Sequence, residues 1–302
     1  MTYIEGKTKM NKLGIFTNFW EKNWDFDHQK YIRKVQKIGF DILEFQAQPL
    51  LDMSKENMSE IKKCADDCGI ELTYSLGLDM KYDVSSENDA VRLGGIEYLK
   101  RIVERISYMD GRAISGVGYA GWGSPDYIVN DKSAMLERSV ASMREIMKTA
   151  KDYNITYCVE AVNRFESVLI NTAAEALDYV ARVDSDHIGV LLDTYHMNIE
   201  EDSIGDAIRL AGDKLFAVHT GDNNRRCPGR GHIDFDEVFQ ALSDIGYKGR
   251  IVSEPFVQMG GEVGRDIKVW RNLEEPTEAH LDEEAAYLLK FEQDMLRKYG
   301  MD

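Results

Sequence analysis

The stretch VLLDTYHMNIEE, residues 190–201, ends an apolar run on a carboxylate. Three apolar residues are typical of a strand buried on both faces. Such a strand does not need Asp193 for its stability, yet the aspartate follows it directly, and His196 comes three positions later. A buried strand that ends on a carboxylate and is followed by a histidine indicates a site at that end.

This strand belongs to a rhythm that runs through all 302 residues: a short β-rich run, a loop, and an amphipathic helix pattern. Eight strands alternating with helices predict a parallel sheet. At this length we expect an α/β fold, a single-domain (β/α)8 TIM barrel. A doubly wound open sheet is the alternative, although no G-x-G-x-x-G follows the first strand. The strand candidates are residues 13–19, 41–46, 71–76, 113–119, 156–162, 187–193, 214–220 and 250–256.

Four helix-to-strand links share a chemical pattern. In KIGFDI, DCGIEL, DYNITY and DIGYKGRI, a Gly or Asn comes just before an apolar residue. These residues tolerate the left-handed conformation that commonly ends a helix. The links therefore predict where four helices stop and the next strands begin.

The charge balance excludes some functions. The chain carries 53 acidic and 37 basic residues, a formal net charge of −16. Nucleic-acid affinity comes mainly from basic residues on phosphates, so we expect no nucleic-acid partner. Four cysteines without zinc-ribbon spacing do not indicate an oxidising compartment. Without an apolar stretch long enough to span a membrane, the expected location is the cytoplasm and no membrane partner is predicted.

Two parts are expected along the chain. Residues 1–11 are predicted to be an N-terminal extension, with Met10 as a plausible alternative start, and residues 12–302 the catalytic barrel domain. The chain has only 5 prolines, and no Pro/Gly/Ser-rich linker divides the second part, which predicts one continuous domain.

Four consecutive strands end on residue types that bind metals. They contribute Glu160, Asp193, His219 and Glu254. Alone, the aspartate could be a helix N-cap and the histidine a core residue. Together, three carboxylates at one end of a barrel would repel one another unless a cation compensates them. Carboxylate oxygens with one imidazole favour Mn²⁺, Mg²⁺ or Co²⁺.

A second set of polar residues follows those strand ends. Glu166, His196 and Arg225 can hold hydroxyl groups and stabilise an oxyanion, although each alone could be a solvated loop residue. Glu200 and Glu201 are expected to be solvated acids at the start of a helix. Aromatic residues of the first and fourth strands could form core or the apolar wall of a sugar pocket. These are Phe16, Phe19, Trp20, Trp24, Tyr119 and Trp122.

The second half of the chain resembles a known family. VEAVNRFESVLINTAAEALDYV, VLLDTYHMNIEEDSIGDAIRLAG, VHTGDNNRRCPGRGHIDF and SEPFVQMGGEVGRDIKVWR are similar to segments of the D-tagatose 3-epimerase / D-psicose (D-allulose) 3-epimerase family, within the xylose-isomerase-like barrels. These segments cover most of residues 155–271, and the likeness extends more loosely from about residue 12 onward.

The resemblance implies roles for particular residues. It places the metal ligands at Glu160, Asp193, His219 and Glu254. It places the ketose-binding groups at Glu166, His196 and Arg225, with Trp122 as a stacking residue. It also implies one divalent metal per subunit, Mn²⁺ first with Co²⁺ or Mg²⁺ as alternatives, and a homotetramer or homodimer.

Three positions depart from the family pattern. Phe16, which we expect to contact substrate, stands where relatives often carry a tyrosine. The third strand ends in SLGLDM and lacks a histidine-containing turn, and YAGWG follows the fourth where relatives are often bulkier. These positions leave the preferred ketose open.

The predicted reaction is ketose 3-epimerisation. Glu160 and Glu254 would act as two bases that remove and return the C3 proton of a ketohexose, D-fructose or D-allulose first, through a cis-enediolate. D-Tagatose/D-sorbose and L-ribulose follow as substrates. Another sugar isomerase of the same barrels, of aldose–ketose or hydroxypyruvate type, is an alternative. A non-catalytic sugar-binding barrel is another.

Overall fold

Eight parallel strands close into one barrel, in which each strand pairs with the next and β8 pairs with β1. This computed structural model describes residues 11–123 and 129–302. The predicted single-domain (β/α)8 barrel is confirmed. The strands are β1 Lys12–Phe16, β2 Ile42–Gln46, β3 Glu71–Gly77, β4 Ala113–Val117, β5 Thr156–Ala161, β6 Ile188–Asp193, β7 Leu215–Thr220 and β8 Arg250–Ser253.

Helices connect the strands. Two of them are short: α6 begins at the residue after β6, and α9 lies in the segment after β8. The described helices are α1 His28–Ile38, α2 Lys55–Cys68, α3 Asp89–Ser107, α4 Ser133–Asp152, α5 Ala173–Val183, α6 Thr194–Glu200, α7 Ile204–Ala211, α8 Phe235–Asp244, α9 Gly261–Asp266 and α10 Glu278–Lys298.

The four predicted helix ends are confirmed by the backbone. Gly39, Gly69, Asn154 and Gly246 have φ values of 111°, 67°, 53° and 65°, the left-handed region. Glycine adopts this region without steric cost, and asparagine tolerates it better than most residues. The chain can therefore leave each helix sharply and enter the next strand.

The strand register determines which side chains point into the barrel. Glu44 of β2 points inward, because its carboxylate reaches His219 of β7 across the barrel. Phe45 points outward and packs against Phe26 and Tyr74. Since side chains alternate along a strand, Gln46 points inward again, one layer closer to the carboxyl ends of the strands.

The described residues begin at Asn11, whose side-chain amide donates to the Met301 carbonyl oxygen at 2.9 Å. Residues 1–10 of the predicted N-terminal extension lie outside the described part, so the extension stays a prediction. Within the described ranges, no helix combines the length and the apolar character that crossing a membrane requires.

Candidate metal and substrate site

Four side chains meet at the carboxyl ends of β5 to β8. One ligand atom from each of Glu160, Asp193, His219 and Glu254 can be chosen so that all lie within 4.8 Å of one another, and all four residues are buried. The register explains this convergence, because Asp193 pairs directly with His219 and Glu254 immediately follows β8. The structure therefore brings together the four residues that the sequence predicted as metal ligands.

Asp193 has two structural roles. Its Oδ1 accepts a hydrogen bond from the Tyr195 backbone N–H at 2.8 Å and caps α6. Its Oδ2 faces the site and accepts from Arg225 Nη1 at 2.7 Å. The N-cap interpretation is confirmed, and it is compatible with the predicted role in the site, since each contact uses a different oxygen of the carboxylate.

His219 is oriented by a glutamate that sequence reasoning missed. Its Nε2 lies 2.8 Å from Glu44 Oε1, and Thr73 Oγ1 donates to Glu44 Oε2 at 2.6 Å. His219 Nδ1 is left facing Glu160 Oε1 at 3.8 Å and Glu254 Oε2 at 3.9 Å. A carboxylate behind a metal-ligating histidine fixes its ring orientation and strengthens it as a ligand.

Burial and like charge dominate the electrostatics of the site. Burial, followed by the Glu254 carboxylate, raises the pKa of Glu160 well above its usual range. Burial also raises the pKa of Glu254 to about 7, although Arg225 and His219 oppose the shift. Burial by itself lowers the pKa of His219, but the carboxylates of Glu44, Glu254 and Glu160 together raise it to about 10. Concentrated negative charge of this kind suits a bound cation.

Arg225 brings a permanent positive charge into the site. It is 5% exposed, and its Nη1 also donates to Glu254 Oε2 at 3.0 Å. The guanidinium lies over the Tyr195 ring, 4.0 Å from its centroid, and 5.3 Å from that of Phe256. Its backbone has a φ of 61°, which an arginine rarely adopts, so the loop after β7 holds it in a strained conformation.

His196 presents one ring nitrogen to the pocket. The Asn163 backbone N–H donates to Nδ1 at 3.1 Å. Burial and the nearby Arg225 charge lower the pKa of His196 to about 3, which keeps the ring neutral. Arg225 Nη2 lies 3.1 Å from the other ring nitrogen, Nε2, so the imidazole and the guanidinium meet at one edge of the pocket.

Glu166 is held by two donors. Its Oε2 accepts from Trp122 Nε1 and its Oε1 from Asn163 Nδ2, both at 3.0 Å. Asn163 thus positions both Glu166 and His196, a role not found from the sequence. The Trp122 ring lies over Gly77, where an added Cβ would come within 2.8 Å of the ring. Any side chain at position 77 would displace the tryptophan.

The predicted aromatic residues are divided between pocket and core. Trp24 and Trp122 line the pocket, together with Phe256, which the sequence analysis missed. Phe16 is fully buried, lies outside the residues that line the pocket, and packs against Phe256 with ring centroids 5.7 Å apart. The structure thus places Phe16 behind the wall, and a direct substrate contact stays a prediction.

A buried glutamate of α10 joins the ends of β7 and β8. Glu292 is fully buried, and its Oε1 accepts from Thr220 Oγ1 at 2.6 Å and from Ser253 Oγ at 2.8 Å. Those two hydroxyl oxygens are 2.7 Å apart. Thr220 follows His219 and Ser253 precedes Glu254, so this triangle of oxygens fixes the backbone beside two of the predicted ligands.

The expectation for Glu200 and Glu201 was wrong. Glu200 is the last residue of α6, its side chain is 6% exposed, and it pairs with Arg164 at 2.8 Å. Glu201 Oε1 accepts from the Ala173 backbone N–H at 2.7 Å, at the start of α5. Both acids join the segment that follows β6 to the segment that follows β5. Sequence spacing does not reveal these contacts.

Comparisons with known proteins agree with this geometry. Residues 32–288 match the model of the xylose isomerase-like TIM barrel family. The chain is 45% identical to a D-psicose 3-epimerase of Ruminiclostridium cellulolyticum over 281 residues, 93% of this chain and 96% of that relative. It is 41% identical to a D-psicose 3-epimerase of Agrobacterium fabrum, covering 93% of this chain and 97% of the relative.

A solved structure is similar along almost the whole chain. The D-psicose 3-epimerase of Clostridium cellulolyticum H10, crystallised with D-tagatose, matches with a TM-score of 0.91 and 44% identity, over 94% of this chain and 99% of that one. The protein belongs to the xylose isomerase-like TIM barrel family. Within that family it is a ketose 3-epimerase, and hence an isomerase.

Proposed function

We propose that the protein interconverts the C3 epimers of free ketohexoses, D-fructose and D-psicose (D-allulose) first, with a divalent metal ion and two glutamate bases. The observation that carries the proposal is the meeting of Glu160 and Glu254 at one point from β5 and β8, strands separated by β6 and β7. Carboxylates that approach from opposite sides can reach the two faces of one carbon.

The donor set fits a divalent cation. Glu160 Oε1 and His219 Nδ1 are buried, and neither has a hydrogen-bond partner among the described residues. With Asp193 and Glu254 they offer three carboxylates and one imidazole, a set that suits Mn²⁺, with Co²⁺ or Mg²⁺ as alternatives. When bound, such an ion supplies Lewis acidity that polarises the substrate carbonyl and acidifies the neighbouring C–H.

The two glutamates would move the proton. In a ketose the carbonyl at C2 acidifies the C3 proton, which one glutamate removes to give a planar cis-enediolate. The other glutamate returns a proton to C3 from the opposite face and inverts its configuration. The proposal requires one glutamate ionised and the other protonated at each step, and the roles exchange in the reverse direction.

Arg225 and His196 would hold the oxygen on which charge develops. The Arg225 guanidinium carries N–H donors and a positive charge, and His196 Nε2 lies 3.1 Å from its Nη2, so an anionic oxygen bound beside them is stabilised. Glu166 would bind substrate hydroxyls, and its contacts with Trp122 and Asn163 keep it in place. Because His196 stays neutral, it adds no second full charge beside Arg225.

The choice of ketose rests on similarity. The relatives are named for D-psicose, and one was crystallised with D-tagatose. The homotetramer or homodimer and the cytoplasmic location rest on the family resemblance and on the sequence. Sedimentation velocity of the purified protein measures the assembly directly.

The test is product identification with and without metal. The protein is stripped with a chelator, dialysed, and assayed with D-fructose, D-psicose, D-tagatose and L-ribulose before and after addition of Mn²⁺. We expect C3 epimers to form only after Mn²⁺ is restored, fastest from D-fructose or D-psicose. Aldoses as the only products would instead support an aldose–ketose isomerase, and no product from any ketose would support a sugar-binding role.

A further inference from the structure

The side of the pocket that faces away from the metal ligands carries a polar group without a partner. Gln46, the last residue of β2, lines the pocket with Ser75 and Gly77 of β3. The residue is 9% exposed, and its Oε1 accepts no hydrogen bond from any residue in the described ranges. Burying an amide oxygen without a partner is unfavourable. Because this amide also lines the pocket, it is free to bind a ligand group there.

The orientation of Gln46 follows from the strand. Glu44, two residues earlier on the same face, reaches across the barrel to His219. Gln46 therefore points into the same interior, one layer nearer the carboxyl ends of the strands, where the pocket lies. Ser75 is its register partner on β3. The β2–β3 side of the pocket is thus neutral and small, while the β5–β8 side carries the charged groups.

The two sides of the pocket would bind different parts of a ketose. Glu160, Glu254 and Arg225 line the charged side, which under the proposed reaction would hold the atoms that react, C2 and C3 with their oxygens. The remaining carbons must extend away from those groups, toward the neutral side. Gln46 also lines the wider cavity, about 710 Å³, into which the pocket opens. It therefore lies at the boundary between the reaction pocket and the outer cavity.

We propose that the Gln46 side-chain amide binds a hydroxyl of the ketose beyond the reacting carbon and selects substrates by that hydroxyl. A carboxamide both donates and accepts, so it can pair with a hydroxyl in either sense. A site built to bind a hydroxyl rejects analogues that lack it, because its own buried polar group is then left unpaired. The role is one of specificity and not of proton transfer, and the inference rests on the proposed epimerisation.

The experiment compares D-fructose with its 4-deoxy, 5-deoxy and 6-deoxy analogues, for the wild type and for Gln46→Met. Methionine has nearly the same length but cannot form the hydrogen bond. We expect Gln46→Met to lower kcat/KM for D-fructose by roughly 3- to 10-fold, mainly through KM. For the one analogue that lacks the contacted hydroxyl, wild type and variant should react at the same rate.

Gln48→Met is the matched control. Gln48 lies two residues further on and lines only the outer cavity, where its amide donates to the Gly77 carbonyl oxygen at 2.9 Å. This variant should keep the wild-type preference among the four sugars. Mn²⁺ affinity should match the wild type in both variants, and both should still unfold cooperatively well above the assay temperature, which separates specificity from misfolding.

The outcomes separate the two proposals. If the wild type converts D-fructose but Gln46→Met lowers kcat/KM equally for D-fructose and all three analogues, or for none of them, the Gln46 proposal is overturned and the epimerase proposal stands. If the wild type converts no sugar of the set, the proposed epimerisation of D-fructose fails, and the Gln46 proposal fails with it.

Discussion

Replacing Glu292 with glutamine should stabilise the protein relative to the wild type as the pH rises. Burial raises the pKa of Glu292 to about 7 from an ordinary value of 4.5, although its hydrogen bonds from Thr220 and Ser253 act downward. Below pH 4.5 the carboxyl is protonated in both the folded and the unfolded chain. Between 4.5 and 7 the unfolded chain loses its proton first, so wild-type stability falls with rising pH.

The magnitude follows from the separation of the two pKa values. At about 1.4 kcal/mol per pH unit, a folded pKa about 2.5 units above the unfolded one costs roughly 3 kcal/mol once the pH exceeds both. A glutamine at position 292 does not titrate and avoids this cost. The variant still loses a constant amount of stability, because the nitrogen of the introduced amide remains buried without a partner. The quantity to measure is therefore how the difference in unfolding free energy between variant and wild type changes with pH, and not the size of that difference at one pH.

The assay is urea unfolding of the metal-free protein near pH 5 and near pH 8. The difference in unfolding free energy between Glu292→Gln and wild type should shift by roughly 2.5 kcal/mol in favour of the variant at the higher pH. Glu283→Gln, on the exposed face of the same helix, is the control for removing one carboxylate. A difference that stays constant with pH, or shifts toward the wild type, refutes the reasoning.

Two further substitutions test the site itself. Glu254→Gln should lower kcat for C3 epimerisation at least a hundredfold, because one of the two bases is lost. Ketose binding, measured by calorimetry in the Mn²⁺-loaded protein, should persist. A variant that keeps a substantial rate contradicts the two-base scheme. Glu44→Gln should weaken Mn²⁺ binding about 10- to 100-fold in a spin-resonance titration, because His219 loses the carboxylate that orients it. Glu71→Gln, where β3 begins, is its control and should bind Mn²⁺ as the wild type does.

The residues that sequence analysis predicted share a visible position. Glu160, Asp193, His219 and Glu254 each end an apolar run, and four such runs follow one another in the chain. Because parallel strands of a barrel end on one face, their order alone predicts that these side chains converge. The fold and the candidate ligand set were therefore accessible from the sequence.

The residues that the sequence analysis missed do not lie at the end of an apolar run. Glu44 lies inside the strand ILEFQ, and an acid in that position does not reveal which face of the strand it is on. Its partner His219 lies on β7, five strands later in the chain, and comes close to it only once the barrel closes. Asn163 acts through a backbone N–H as well as its side chain, which no residue pattern encodes. Glu200 was misassigned because its partner Arg164 comes from the neighbouring loop.

The central claim is that a proton leaves and returns at C3, and one measurement tests it most directly. D-Fructose is incubated with the Mn²⁺-loaded protein in D₂O, and the recovered sugars are examined by NMR. The two-base account predicts deuterium at C3 of the epimerised product and none at C1. Deuterium at C1 alone, or epimerisation that leaves the original hydrogen at C3 through many turnovers, would contradict it.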